Sequence, residues 1–311
     1  MSIHKSVLLE ESIKALKLKA GSIVIDATLG GGGHALEILK LIGKKGKLIV
    51  IDADSGAIER FEKKLKKQKI ENIILVQDNF RNLESILKKN GIKKVDAILA
   101  DIGYSSDQLE DPKRGISFQL DAPLDMRFDQ TQELTAEKII NKYNQEELEN
   151  IIKNYGEEKF YKSIVAGIIE YRKNKKIENT RELVEIIEQH VAVRYRHGKI
   201  SPATKTFQAI RIEVNQELFS LRKFVSAAIE ALNFSGRLAV ISFHSLEDRI
   251  VKEIFRENAR GCICPQTFPV CLCGQLAKIK LITRKPIIPQ VKEITDNPRS
   301  RSAKLRVCEK F

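Results

Sequence analysis

The residues best placed to do chemistry begin with Asp26-Ala-Thr-Leu-Gly30-Gly31-Gly32-Gly33-His34, between a β-branched run and a helical stretch. Glycines let the backbone turn sharply and lie against a ligand with no Cβ in the way. The helix that follows offers unpaired N–H groups and partial positive charge. Gly30, Gly32 and Ala35 satisfy the spacing G-x-G-x-x-G/A. Nucleotides, dinucleotides and S-adenosylmethionine are all held by such loops, so the loop selects a ligand class, with a plain flexible turn as the alternative. Acids then recur at the ends of β-like runs. Asp52 lies about 20 residues beyond the glycines, where a carboxylate binds ribose hydroxyls, while Asp54 is the residue to face solvent or cap the next helix. Asp78-Asn79-Phe80 ends the third run, with a ring to stack on adenine and a carboxylate to accept its amino protons; core packing is the other reading of Phe80. Asp101, in Ala-Asp101-Ile-Gly103-Tyr104-Ser105-Ser106, ends the fourth and belongs beside a reacting centre.

These residues act together only if the chain brings the run ends to one edge. SIVIDATL (22–29), KLIVIDAD (47–54), NIILVQDN (72–79) and VDAILADI (95–102) have the pattern of strands buried on both faces. HALEILKLI, SGAIERFEKKLKKQ and NLESILKKN alternate with them as helices, which implies right-handed crossovers and a parallel sheet. From Gln108 to Ile200 the alternation gives way to amphipathic helical stretches. Residues 203–232 read as one long or two broken helices. GRLAVISFHS (236–245) restores the strand pattern, LEDRIVKEIFREN is helical, and KIKLITRKPI with SAKLRVCEK is expected to form a final antiparallel hairpin. The predicted architecture is α/β: a doubly wound sheet over 1–107 and 203–311, with a helical domain, 108–202, inserted after the fourth strand.

The 311 residues include 54 basic and 41 acidic side chains, a net charge of +13. Such a surplus favours polyanions, nucleic acid above all, with a solubilising surface as the bland alternative. No run approaches the roughly 18 apolar residues of a membrane span. The start MSIHKSVLLEES lacks a signal peptide's apolar stretch. A cytoplasmic protein with no membrane partner is therefore expected. Lys278, Lys280, Arg284, Lys285, Arg299, Arg301, Lys304 and Arg306 are candidates to engage phosphate, against a solvated face; KKLKKQK (63–69) reads as an exposed helix face.

Cys262-Ile-Cys264 and Cys271-Leu-Cys273 form C-x-C…C-x-C across a proline-containing turn. Four thiolates can close a tetrahedral zinc site, but the spacing is tighter than a C-x-x-C knuckle. Reduced thiols packed in a loop are the alternative, and the metal stays open at this level. Cys308 is expected to be buried and inert.

HKSVLLEE (4–11), DATLGGGGH (26–34), DIGYSSDQL (101–109), RGISFQLDAPLDMRFD (114–129), SPATKTFQAIRIEVNQEL (201–218), SFHSLEDRIVK (242–252) and NPRSRSAKLRV (297–307) follow one another in that order. Together they resemble the ribosomal RNA small-subunit methyltransferase H family, also called RsmH or MraW. The resemblance runs from His4 to the C-terminus. It implies S-adenosylmethionine-dependent methylation of the exocyclic N4 of a cytidine in 16S rRNA at the decoding centre. It implies a Rossmann-like class I methyltransferase sheet with an inserted helical substrate-recognition domain. It names 16S rRNA in the small ribosomal subunit as partner and leaves the oligomeric state open, a homodimer included. Carried over by motif, the cofactor contacts are Gly32, Gly33, His34, Asp52, Phe80, Asp101 and Gln108. Two positions depart from the family pattern: Tyr104 stands where a small aliphatic residue is expected, and Ser201 where a histidine is usual.

A sulfonium methyl is already activated, so such a protein mainly aligns nucleophile, methyl and sulfur. The cytosine amino group is a poor nucleophile, and Asp101 is the expected catalytic residue, accepting amino hydrogens with nearby backbone carbonyls. Its rival role is cofactor orientation alone. The base must leave its stack to react. Tyr104 and Phe243 are candidates to stack on it, with core packing the other reading of Phe243. His244 either bonds base or phosphate or is satisfied at its strand end. His190 and His197 are expected at the surface or facing RNA; His4 has no assigned role. A NAD-dependent oxidoreductase would account for the glycine loop and Asp52 but not for DIGYSS, the insertion or the charge. A noncatalytic RNA-binding assembly protein would account for the charge without methyl transfer.

Overall fold

The computed structural model describes residues 6–103, 109, 111–196, 198, 201–262, 264, 268, 270 and 272–311. A helix missed in the sequence, α1 (Leu9–Leu16), precedes β1 (Ile23–Asp26), α2 (Gly33–Ile42), β2 (Lys47–Asp52), α3 (Ser55–Gln68), β3 (Ile73–Gln77), α4 (Leu83–Lys89) and β4 (Val95–Asp101). The helical excursion comprises α5 (Ala136–Lys142), α6 (Gln145–Asn154), α7 (Tyr161–Asn174), α8 (Thr180–Gln189), α9 (Val193–Arg196) and α10 (Ala203–Asn215). The chain then forms α11 (Glu217–Ala231), β5 (Leu232–Ser242), α12 (Ser245–Ala259), β6 (Ile279–Leu281), α13 (Val291–Asp296) and β7 (Lys304–Lys310).

Among the described residues, one sheet runs β3-β2-β1-β4-β5-β7-β6. Strands β1 to β5 are parallel, and β7 is antiparallel to both of its neighbours. This strand order agrees with the Rossmann-like class I methyltransferase sheet that the resemblance implies. The order reverses at β1, which pairs with β2 on one side and β4 on the other, and a ligand crevice opens at such a switch point beyond the carboxyl ends of the strands. Alternate residues serve opposite faces, as strand geometry requires. Ile49 and Ile51 join Ile25, Ile98 and Phe224 on one face; Leu48 and Val50 join Val24, Leu99 and the Ile38 and Ile42 stripe of α2 on the other. The expected terminal hairpin is corrected. β6 and β7 are antiparallel partners, but α13 and a 3₁₀ turn (Pro298–Ser302) separate them. β7 lies between β5 and β6 because its alternating Leu305, Val307 and Cys308 feed both cores.

The chain divides into two compact units, Met1–Gly103 with Leu218–Phe311, and Tyr104–Glu217. The return to the sheet unit thus falls later than residue 203, since Phe207, Ile210 and Val214 of α10 are buried with Ile140, Leu148 and Ile151 in the helical unit's own core. Residues 203–232 form two broken helices, interrupted at Gln216, whose φ is +50°. Capping boxes start α6 (Asn144 with Glu147) and α8 (Asn179 with Glu182), satisfying N–H groups that a helix start leaves unpaired. Among the described residues no helix is long and apolar enough to cross a membrane.

Candidate active site

Beyond Asp26 the chain turns through Thr28 and Leu29 into the glycine loop. Gly30 and Gly32 have φ of +49° and +75°, a region L side chains rarely adopt. A Cβ at Gly32 would also lie 2.5 Å from the Phe61 ring. The Gly32 N–H donates to the Leu29 carbonyl (2.7 Å) and the Leu36 N–H to the Gly32 carbonyl (3.1 Å), so the loop passes directly into α2, which opens at Gly33. His34, in the first turn, is buried, with Nδ1 3.9 Å from Asp101 Oδ2.

Two hydrogen bonds stitch the strand ends together. The Gly30 N–H donates to Asp52 Oδ2 (3.0 Å), and the Asp101 N–H donates to Thr28 Oγ1 (2.7 Å). The second Asp52 oxygen accepts from the Asp54 N–H (2.8 Å). Asp54 is the helix cap: its Oδ1 accepts from the Gly56 N–H at the start of α3, and it is buried rather than solvent-facing. The Asp78 N–H donates to the Asp52 carbonyl (3.0 Å), and Asp78 Oδ1 accepts from the Asn82 amide (2.8 Å). Half-buried Phe80 opens a 3₁₀ turn, and its ring meets Phe224 edge-on at 5.1 Å, which is the core-packing reading of this residue. The structure therefore gathers Gly32, Gly33, His34, Asp52, Phe80 and Asp101 along the carboxyl edge of neighbouring parallel strands. Gln108 and Tyr104 lie outside the described residues, as do His4 and His197.

The electrostatics of this edge are acidic and strained. Burial, then the nearby Glu247, pushes the Asp101 carboxyl up to about 7. Burial pushes Asp52 up to about 6, opposed by the N–H groups of Asp54 and Gly30. Asp26, fully buried, is raised well above the usual carboxylate range by burial, against the Thr28 N–H, and then by Asp101 and Asp52. Asp101 Oδ1 and Asp26 Oδ2 are buried and accept no hydrogen bond among the described residues. Buried acceptors without donors are uncommon. A cationic ligand whose charge relieves them, with hydroxyls for Asp52 and an aromatic base for Phe80, fits this donor set; S-adenosylmethionine has all three features.

Asp26, Thr28 and Glu247 were not singled out from sequence. The signal for Asp26 and Thr28 was their place in the strand–glycine-loop block; Glu247 had only its spacing, three residues after His244. That spacing is a capping box: Glu247 Oε2 accepts from the Phe243 and His244 N–H groups (2.8 and 3.2 Å), and His244 Nε2 lies 3.1 Å from Glu247 Oε1. His244 Nδ1 accepts from the Glu247 N–H (3.5 Å) as the cap of α12, its buried Nε2 has no hydrogen-bond partner among the described residues, and Phe243 packs against the core. His190 is half-buried with Nδ1 2.8 Å from the Ile186 carbonyl and its ring against Gly167, which corrects its expected surface position. Part of the C-terminal charge is internal as well. Arg306 is buried and makes a two-pronged pair with Asp248 (2.6 and 3.1 Å), whereas Lys278, paired with Glu230 at the surface (2.7 Å), and Lys280, Arg284, Lys285, Arg299 and Arg301 are exposed. Lys63, Lys64, Lys66 and Lys67 line the exposed face of α3, as expected. Cys308 is buried and its thiol pushed up to about 12, consistent with an inert residue.

Comparison with known proteins adds a family. The profile of the MraW methylase family matches residues 1–311. A curated relative from Clostridium botulinum (strain Kyoto / Type A2), named ribosomal RNA small subunit methyltransferase H, is 52% identical over 309 residues, covering 99% of each chain. One of the same name from Halothermothrix orenii is 49% identical over 307 residues, covering 99% of this chain and 98% of its own. Among solved structures, an rRNA methylase from Streptococcus thermophilus aligns over 99% of this chain and 98% of its own at 12% identity, with a TM-score of 0.44.

Proposed function

The chain belongs to the MraW methylase family, and on that premise we propose that it transfers a methyl group from S-adenosylmethionine to the exocyclic N4 of a cytidine in 16S rRNA at the decoding centre of the small subunit. The observation that carries this reading is the joining of the glycine loop to Asp52 and of Asp101 to Thr28 at the switch point of the parallel sheet. S-adenosylmethionine supplies an activated methyl on a sulfonium centre. The residues to hold it are the Gly32–Gly33 backbone and His34 at the start of α2, Asp52 for the ribose hydroxyls and Phe80 for the adenine, with Gln108 added by family motif.

Asp101 is the proposed catalytic residue. Its buried, unpaired Oδ1 is an acceptor for an amino hydrogen of the target base, and the lone pair of that nitrogen becomes more available as the hydrogen is drawn away. A carboxyl held near 7 is half-ionised at neutral pH, suited to accept a proton and release it again. Glu247 and Thr28 position it, one through charge and one through the backbone. The helical unit leaves the sheet directly after the Asp101 strand, which supports a role in RNA recognition. The test is transfer of tritiated methyl to small-subunit particles followed by nucleoside mapping. Label in N4-methylcytidine is the expected result; RNA affinity without transfer, or preferential binding of NAD, overturns the proposal.

A further inference from the structure

We propose that the loop between α12 and β6 is a structural zinc site built on Cys262, Cys264 and Cys273. Their Sγ atoms all lie within 4.8 Å of one another. Cys262 and Cys273 are 3.8 Å apart, far beyond the roughly 2.05 Å of a disulfide. A tetrahedron with zinc–sulfur bonds of about 2.3 Å has edges of about 3.8 Å, so this pair already stands at the separation of two thiolates on one ion. The Leu272 N–H donates to Cys264 Sγ (3.3 Å), the kind of backbone hydrogen bond that orients a thiolate and stabilises its charge. Three thiols and one further donor complete the set. Cys271 is the neighbouring thiol in sequence and lies outside the described residues.

The loop needs such a pin. Its base is closed by the Lys278 N–H on the Asn258 carbonyl (2.8 Å), but among its described residues the apolar side chains of Val270, Leu272 and Leu276 are 68%, 75% and 83% exposed and join no core. A segment that buries so little is held by a staple rather than by packing. All-sulfur donor sets select zinc, copper(I) or iron–sulfur clusters, and a compact tetrahedral thiolate set suits zinc. On binding, each thiol releases its proton to solvent as its sulfur–zinc bond forms, so the ion closes the loop without any redox change.

The test uses the full chain purified under reducing conditions without chelator. Elemental analysis should find about one zinc per chain, and chelator-stripped protein should take up cobalt with the visible absorption of a tetrahedral thiolate complex. The Cys262→Ser/Cys273→Ser double variant should lose both signals while its far-ultraviolet circular dichroism and S-adenosylmethionine affinity match wild type. Cys308→Ala, away from the cluster, should keep both. Reduced protein that neither contains zinc nor takes up zinc or cobalt overturns the site, and so does a double variant that retains stoichiometric metal. Copper or iron in place of zinc would overturn the identity of the ion.

Discussion

Replacing Asp101 with asparagine separates the cost of burying a carboxylate from the use made of it. The Asp101 carboxyl is lifted from 3.8 to about 7 by burial and by Glu247. A folded-state value above the unfolded one means that ionisation opposes folding. This penalty is absent below about pH 4, grows across the window between the two values, and is complete above about pH 7. Three units at about 1.4 kcal/mol each give roughly 4 kcal/mol, and the side chain's partial access to solvent trims the expectation to about 2–4 kcal/mol. Asparagine has no charge to bury. The ligand-free Asp101→Asn protein should therefore be the more stable at about pH 8 and should match wild type near pH 4. Urea denaturation across that range measures it. Parallel stability curves for the two proteins would refute the account of a strained carboxylate. The same variant tests the chemistry: near-normal S-adenosylmethionine affinity with turnover reduced about 100-fold or more fits a proton acceptor. Lost cofactor binding would make Asp101 an orienting residue instead.

The remaining expectations concern the loop, the second carboxylate and the basic surface. Gly32→Ala places a methyl against the Phe61 ring as well as a side chain at positive φ, so it should destabilise by about 2–4 kcal/mol. Gly30→Ala, whose Cβ meets nothing described within 4 Å, should lose only about 1–2 kcal/mol in the same melting experiment. Asp52 at about 6 predicts that S-adenosylmethionine affinity falls as pH drops through that value, since the protonated acid is a poorer partner for hydroxyls. Asp52→Asn should weaken binding about 5- to 30-fold and flatten that part of the profile, as calorimetry at several pH values would show. Arg306→Ala should lower stability by about 2–3 kcal/mol, less than the loss of a sole partner because Lys304 still faces Asp248 at 3.6 Å, without changing the salt dependence of RNA binding. Arg284→Ala with Lys285→Ala should leave the denaturation midpoint in place and reduce that salt slope by about 0.7 for each single-strand phosphate no longer neutralised.

Much of the sheet was legible because its signals are local. β1 to β4 each announce themselves as short β-branched runs, and α3 begins and ends where SGAIERFEKKLKKQ does. The acids at strand ends followed from the same reading, because a parallel sheet brings all carboxyl ends to one edge. What escaped depends on partners distant in the chain. β7 slots between β5 and β6, a choice fixed by two-faced burial rather than by its own pattern. Asn215 looked like one more residue in a family block, yet its side chain accepts from the Phe128 N–H and donates to the Met126 carbonyl (both 2.8 Å), tying that block to another nearly ninety positions earlier. Arg114 similarly donates to the Phe128 carbonyl (2.9 Å). Charge is the least legible property: Arg306 and Arg284 are alike on paper, and only the fold assigns one to Asp248 and the other to solvent.

The interruption of the sheet unit has a kinetic consequence. β4 must find β5 across the whole helical excursion, so Asp101 and its partner Ile241 meet only after a very long stretch of chain has been gathered in. Closing a disordered loop of that length is entropically unfavourable, and a segment that has already condensed around its own apolar centre behaves as a much shorter tether. Assembly should accordingly proceed from the inside out, the excursion consolidating before its flanks zip together, with a rate sensitive to substitutions in residues that never approach the chemistry.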